Sequence, residues 1–169
     1  MTPDETVRSS AVRVLFVCMG NICRSPTAEA VMKKMISQQG LEDAVVIDSA
    51  GTIGYHEGCG SDARAVSHGT KRGYVFDHKA RRVVSSDFHD FDYIVAMDHE
   101  NLAELRRMAP KNNGRSRISL LMSHCKDAMV EEVPDPYYGG AGGFEQVLNL
   151  VEAGCSALLD KIRAEHSLR

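Results

Sequence analysis

The segment 12–17, Val-Arg-Val-Leu-Phe-Val, most constrains what this chain can fold into. It is short, β-branched and nearly uncharged, as a strand is when its sheet is covered on both faces. Gly20 and Asn21 end it, and Ser25-Pro26 follows as a helix start. The expectation there is Ser at the N-cap and Pro at the first helical position. Ala28, Val31, Met32, Met35 and Ile36 recur at helical spacing, and Gly40 suits the C-terminal cap.

The rest of the chain continues the alternation. Strands are predicted at 45–49, 93–97 and 118–121, and helices at 62–69, 101–108 and 144–164. A loop rich in Pro, Tyr and Gly spans 134–143. The closing helix carries Val147, Leu148, Val151, Leu158, Leu159 and Ile162 along one side. Strands alternating with helices predict an α/β fold of three layers, α/β/α, around a four-stranded parallel sheet, flavodoxin- or Rossmann-like. A length of 169 residues with 43% hydrophobic and 25% charged side chains suits a single folded domain. Residues 1–10 read as a flexible polar tail, and 11–169 as the domain.

Charge and cysteine usage narrow the partners. A net charge of −3 gives no general attraction to nucleic acid. No apolar run approaches the roughly 18 residues of a membrane helix. The polar N-terminus lacks the basic, apolar and small-residue pattern of a secretion signal. A cytoplasmic protein is expected, with neither nucleic acid nor membrane as partner. Five cysteines are an odd number and read as free thiols in a reducing compartment. The seven histidines show no metal-binding pair, so neither a metal nor a cofactor is predicted.

In parallel α/β sheets ligands sit beyond the carboxyl ends of the strands, near helix N-termini. That rule points to 18–26, Cys-Met-Gly-Asn-Ile-Cys-Arg-Ser-Pro. Between a strand and a helix, successive backbone N–H groups and the helix dipole favour a bound anion. The same field favours a thiolate over a thiol. Cys18 is therefore the candidate nucleophile. Arg24 offers a planar fork that matches two phosphoryl oxygens. The loop lacks the Gly-Lys-Ser/Thr ending of a nucleotide-binding loop. Phosphate-ester cleavage also needs a proton donor, and Asp135, held between Pro134 and Pro136, is the candidate.

Residues 17–26 together with Asp135-Pro-Tyr-Tyr-Gly139 closely resemble the low-molecular-weight protein tyrosine phosphatases. The likeness extends to Asp48-Ser-Ala-Gly-Thr52, His78-Lys-Ala-Arg81, Phe91-Asp-Tyr-Ile94, Met97-Asp98 and Phe144-Glu145. It implies a metal-independent hydrolysis through a cysteinyl-phosphate, with Cys18, Arg24 and Asp135 catalytic. Phosphotyrosine proteins would be substrates, and phosphate or other oxyanions would sit in the loop. Met19, Gly20, Asn21, Ile22, Cys23 and Ser25 would line the phosphate loop. Ser25 would also hydrogen-bond the Cys18 sulfur. Tyr55, Tyr137 and Tyr138 would join Ile22 as walls of an aryl slot. Ser49 and His78 would support the loop through Asn21. Cys23 would pair reversibly with Cys18 on oxidation. The protein would act as a monomer or weak homo-oligomer. Two departures are visible: Gly60-Ser-Asp-Ala-Arg64 stands where the family often has a Pro-rich Asp-Pro-Arg segment, and the segment Thr70 to Asp77 is slightly longer than usual.

Three other readings compete. Arsenate reductases that share the loop need two more cysteines in a mobile segment near mid-chain, and no cysteine lies between Cys59 and Cys125. Protein-arginine phosphatases typically carry Thr where this chain has Ile22, and lack the paired tyrosines. A catalytically silent anion-binding module would not need Cys18, Arg24, Ser25 and Asp135 together.

Overall fold

A computed structural model describes residues 11–111, 114–137 and 140–169. The 1–10 tail and Tyr138 lie outside the described residues. Strand β1 (Val12–Cys18) pairs in parallel with β2 (Val45–Gly51) on one side and β3 (Tyr93–Ala96) on the other. Strand β4 (Arg117–Leu120) extends the sheet beyond β3, again in parallel, giving the order β2-β1-β3-β4. The chain leaves β1 toward β2 and later returns past it to β3. Adjacent connections therefore diverge at the carboxyl end of β1 and open a crevice there.

Period-two alternation along β1 assigns its side chains to two cores. Val12, Val14 and Phe16 pack with α1 (Arg24–Gln38) and α5 (Ala141–Glu165). Leu15 and Val17 pack on the opposite face with α3 (Asp87–Asp90) and α4 (His99–Met108). The apolar side predicted for the closing helix, from Val147 to Ile162, lies in the first of these cores. The sheet is thus covered on both faces, which gives the three layers. Helix α2 (Ala63–Lys71) packs against α5, and one 3-10 turn spans Leu121–His124. Among the described residues no helix is long and apolar enough to cross a membrane.

Helix α1 starts two residues earlier than predicted. Cys23, not Ser25, is the N-cap, and it makes no side-chain capping bond. The Ser25 hydroxyl is engaged elsewhere. Gly40 has φ +68°, the left-handed conformation expected after the helix end. Asp62 and Asp98 cap α2 and α4 by accepting from the N–H groups of Arg64 and Asn101.

Candidate active site

Strand β1 delivers Cys18 as its last residue, and α1 begins at Arg24, so five loop residues separate sulfur from guanidinium. Asn21 turns that loop. Its φ of +58° is left-handed, where a residue with a Cβ stays only if its surroundings hold it. They do so through every polar atom of the residue's amide side chain. Asn21 Oδ1 accepts from the Arg81 backbone N–H at 3.0 Å and from His78 Nε2 at 2.7 Å. A backbone N–H can only donate, which settles the orientation of the amide. Nδ2 then donates to Ser25 Oγ at 2.8 Å and to Ser49 Oγ at 3.0 Å.

The consequence reaches the sulfur. Ser25 Oγ, having accepted from Asn21, turns its own proton to Cys18 Sγ at 3.0 Å; the alternative acceptor, Ala50 O, is at 3.5 Å. The Asn21 backbone N–H also donates to Cys18 Sγ at 3.3 Å. Two donors therefore converge on an atom that, as a thiolate, has only lone pairs to offer.

The network closes through α1. Ser49 Oγ donates to Glu29 Oε1 at 2.6 Å, and His78 Nδ1 lies 3.2 Å from the same oxygen. Lys33 Nζ holds the other Glu29 oxygen at 2.7 Å. Ser25, Glu29 and Lys33 share one helix face by their i, i+4 spacing. Glu29, Asp48 and His78 bring ligand-type atoms within 4.8 Å of one another. Lys33 and Ser49 already hold Glu29, and Arg81 holds Asp48 at 3.1 Å, so the cluster is internally satisfied without an ion.

Arg24 is 3% exposed and faces three oxygen groups. Nη1 donates to Asp98 Oδ2 at 2.6 Å and to Val133 O at 3.1 Å, and Nη2 stands 3.6 Å from Asp135 Oδ2. Burial opposes the Arg24 charge, but the Cys18 sulfur and the carboxylates of Asp98 and Asp135 outweigh it and hold its pKa above the ordinary value. The acid loop is tied to the residue that follows β3 by the Val133 N–H, which donates to Met97 O at 2.8 Å. Asp135 Oδ1 accepts from the Tyr137 N–H at 3.0 Å.

These groups border a cleft of about 300 Å³. Cys18 and Arg24 lie at its base, and Met19, Gly20, Ile22 and Cys23 line the phosphate-loop side. Ile53, Tyr55, His56, Asp135 and Tyr137 complete the wall. His56 leans on the loop: a Cβ on Gly20 would sit 3.1 Å from its ring. Tyr55 packs edge-on against His56, with ring centroids 4.8 Å apart, and is 84% exposed. Burial pushes the Cys23 thiol pKa up, with Asp62 adding to the effect, so Cys23 stays a thiol at neutral pH.

Not every predicted contact lies in the cleft. The side chains of Asn21 and Ser25 turn into the network behind the loop, as do those of Ser49 and His78, and only their effect reaches the cavity. Sequence reasoning gave no role to Glu29, Ile53, His56 or Asp98. Asp98 could have been noticed as an N-cap acid directly after a strand. Glu29 could have been noticed as a charge within an otherwise apolar helical stretch.

A family model described as low molecular weight phosphotyrosine protein phosphatase matches residues 13–168. The low molecular weight protein-tyrosine-phosphatase of Streptomyces coelicolor is 46% identical over 157 residues, which is 90% of this chain and 94% of that protein. A protein tyrosine phosphatase from Entamoeba histolytica, solved with Hepes in its active site, aligns with a TM-score of 0.88 at 46% identity. That alignment covers 92% of this chain and 99% of the other. The drosophila arginine phosphatase aligns with a TM-score of 0.84 at 37% identity, over 89% of this chain and 97% of its own. A match this nearly end to end, on a chain whose cleft is built around Cys18 and Arg24, leaves one assignment: the chain belongs to the low-molecular-weight phosphotyrosine protein phosphatase family.

Proposed function

We propose that the protein hydrolyses phosphotyrosine in protein substrates through a cysteinyl-phosphate at Cys18. The observation that carries this is the convergence of the Ser25 hydroxyl and the Asn21 N–H on Cys18 Sγ, at the base of a cleft that also holds the Arg24 guanidinium. The Cys18 thiolate attacks phosphorus and the phosphorus–oxygen bond to the tyrosyl group breaks. Asp135 gives its proton to that leaving oxygen. Water then attacks the phosphoenzyme and Asp135 takes one of its protons. The phosphorus–sulfur bond breaks, and the Ser25 hydroxyl receives the departing thiolate as a hydrogen-bond acceptor. Arg24 and the loop N–H groups face the phosphoryl oxygens throughout, supplying the charge stabilisation that other phosphatases take from a metal.

The apolar and aromatic walls of Ile22, Ile53, Tyr55 and Tyr137 suit an aryl group. A phosphoserine is too short to bring its phosphate to the base of such a slot. Phosphoarginine is the second substrate to test, because the drosophila arginine phosphatase shares the fold. Cys18 and Cys23 both line the cleft as free thiols. Peroxide would convert Cys18 to a sulfenic acid, which Cys23 would then attack with loss of water to give a disulfide.

The test is hydrolysis of para-nitrophenyl phosphate in EDTA by wild type and Cys18→Ser, with phosphotyrosine, phosphoserine and phosphoarginine peptides alongside. Release from phosphotyrosine that is lost in Cys18→Ser is expected. Preferential release from phosphoarginine would move the reading to that substrate. No release by folded, reduced protein would overturn it.

A further inference from the structure

We infer that Arg64 is a positioning residue that sets where the Asp135 carboxyl stands, by tying the acid loop to the phosphate loop through Asp62. The inference rests on the reading of Asp135 as the acid. Arg64 lies in the first turn of α2, outside the cleft wall. Its Nη1 donates to the backbone oxygen of Tyr137 at 3.1 Å, two residues beyond Asp135. Its guanidinium carbon lies 5.3 Å from the Tyr137 ring centroid and 4.9 Å from that of Phe144, near the start of α5. Both distances are within cation–π range.

The other edges of the guanidinium are held by Asp62. Arg64 Nε donates to Asp62 Oδ1 at 3.1 Å and Nη2 to Asp62 Oδ2 at 3.0 Å, a two-point pairing. Asp62 is itself fixed as the N-cap of α2, accepting from the Arg64 N–H at 2.8 Å. The Asp62 N–H donates to Ile22 O at 2.8 Å, within the loop that joins Cys18 to Arg24. A chain of hydrogen bonds therefore runs from Ile22 through Asp62 and Arg64 to Tyr137, linking the nucleophile's loop to the acid's loop.

The geometry explains why that link matters. Upstream, the acid loop is pinned at Val133 by Met97 and Arg24. Downstream of Asp135, Arg64 grips the backbone. Asp135 is 35% exposed at its side chain, so burial alone does not hold it. A general acid must stand within about 3 Å of the oxygen it protonates. A displacement of about 1 Å can lower the rate by up to roughly 10²-fold.

The experiment compares kcat/KM on phenyl phosphate, a poor leaving group, and 2,4-dinitrophenyl phosphate, a good one. The proteins are wild type, Asp135→Asn, Arg64→Met, Arg64→Lys, and Arg64→Met combined with Asp135→Asn. Asp135→Asn should lower the phenyl rate about 10²-fold more than the dinitrophenyl rate, the range of general-acid catalysis. Arg64→Met keeps an apolar stem over the rings but loses the donor. It should lower the phenyl rate about tenfold more than the dinitrophenyl rate, with inhibition by inorganic phosphate unchanged. Arg64→Lys should recover part of this selectivity. In the Asp135→Asn background, Arg64→Met should add no further selectivity. Asp62→Asn keeps the helix cap, weakens the pairing and gives a second route to the same loss should Arg64→Met fold poorly.

Equal losses on both esters from Arg64→Met, beside a selective loss from Asp135→Asn, would overturn the role of Arg64 alone. So would additive losses in the double variant. Equal losses from Asp135→Asn itself would remove Asp135 as the acid, and this inference with it.

Discussion

Asn21 allows the phosphate loop to be loosened without changing Cys18, Arg24 or Asp135. In Asn21→Ala, the Arg81 N–H and the His78 Nε2–H lose their acceptor, and the hydroxyls of Ser25 and Ser49 lose a donor. An orphaned donor at a buried site costs about 1–3 kcal/mol, so the two together cost roughly 2–6 kcal/mol. The hydroxyls keep their own protons and add little. Ala must also accept φ +58°, a further penalty of about 1–2 kcal/mol. Asn21→Gly loses the same hydrogen bonds but adopts that φ freely, and its extra unfolded-state entropy returns about 0.5–1 kcal/mol of the advantage. Both variants should thus be several kcal/mol less stable than wild type, with Ala below Gly by up to about 1.5 kcal/mol. Against a total of about 5–15 kcal/mol, that is a large fraction. Urea unfolding followed by far-ultraviolet circular dichroism reads the difference as a midpoint shift at constant slope. Turnover should fall equally on good and poor leaving groups, because the defect lies at the sulfur rather than at the acid. A loss under about 1 kcal/mol for both variants, on the scale of a single ordinary hydrogen bond, would refute the claim that this network holds the turn. Gly clearly less stable than Ala would refute the role of the left-handed φ.

Further outcomes are expected. Asp98→Ala should lower stability by about 3–5 kcal/mol in urea, since it leaves buried Arg24 without its 2.6 Å partner and uncaps α4; Asp98→Asn, which retains the cap, should lose less. Gly51→Ala should disable turnover, because its Cβ would stand 2.6 Å from Met19 O and 3.2 Å from Asn21 Cβ, pressing on the backbone of the phosphate loop; an unchanged rate would contradict the close approach. His124 is pushed below its ordinary pKa by burial and then by Lys161, so folding favours the neutral ring. Its contribution is full above about pH 6.5 and lost as pH falls through the lower folded value, and His124→Gln should flatten that part of the stability profile measured in urea.

The sheet and the nucleophile loop were legible because their signals are contiguous. The alternation of apolar runs and helical repeats predicts the element order, and Cys18 to Arg24 is one unbroken segment after a strand. Ser25 illustrates where local rules gave way. Its hydroxyl is a good helix cap in isolation, but the buried sulfur beside it and the Asn21 amide recruit it, so the helix starts without a side-chain cap. Strand β2 runs past its predicted end because Ala50 and Gly51 pair with Val17 and Cys18. Helix α3 and the 3-10 turn after β4 are each one turn long, too short to show a period. Asp98 meets Arg24 across 74 positions and Glu29 meets Ser49 across 20, and no local pattern reports such partners. His56 becomes part of the site only because its loop folds back over Gly20.

The placement of β1 between β2 and β3 has a consequence for how the molecule breathes. A central strand paired on both edges releases its amide hydrogens to solvent only when the whole domain opens. The loop at 53–60, which carries exposed Tyr55, opens far more cheaply. Hydrogen exchange across the cleft should therefore be steeply graded, slowest in the strand that ends at Cys18 and fastest at the rim. The sulfur is attached to the last part of the fold to move, and the surface that first meets a protein substrate belongs to the first. The exposed side chain of Tyr55 at that rim is thus free to vary with the substrate at little cost to the geometry around the sulfur.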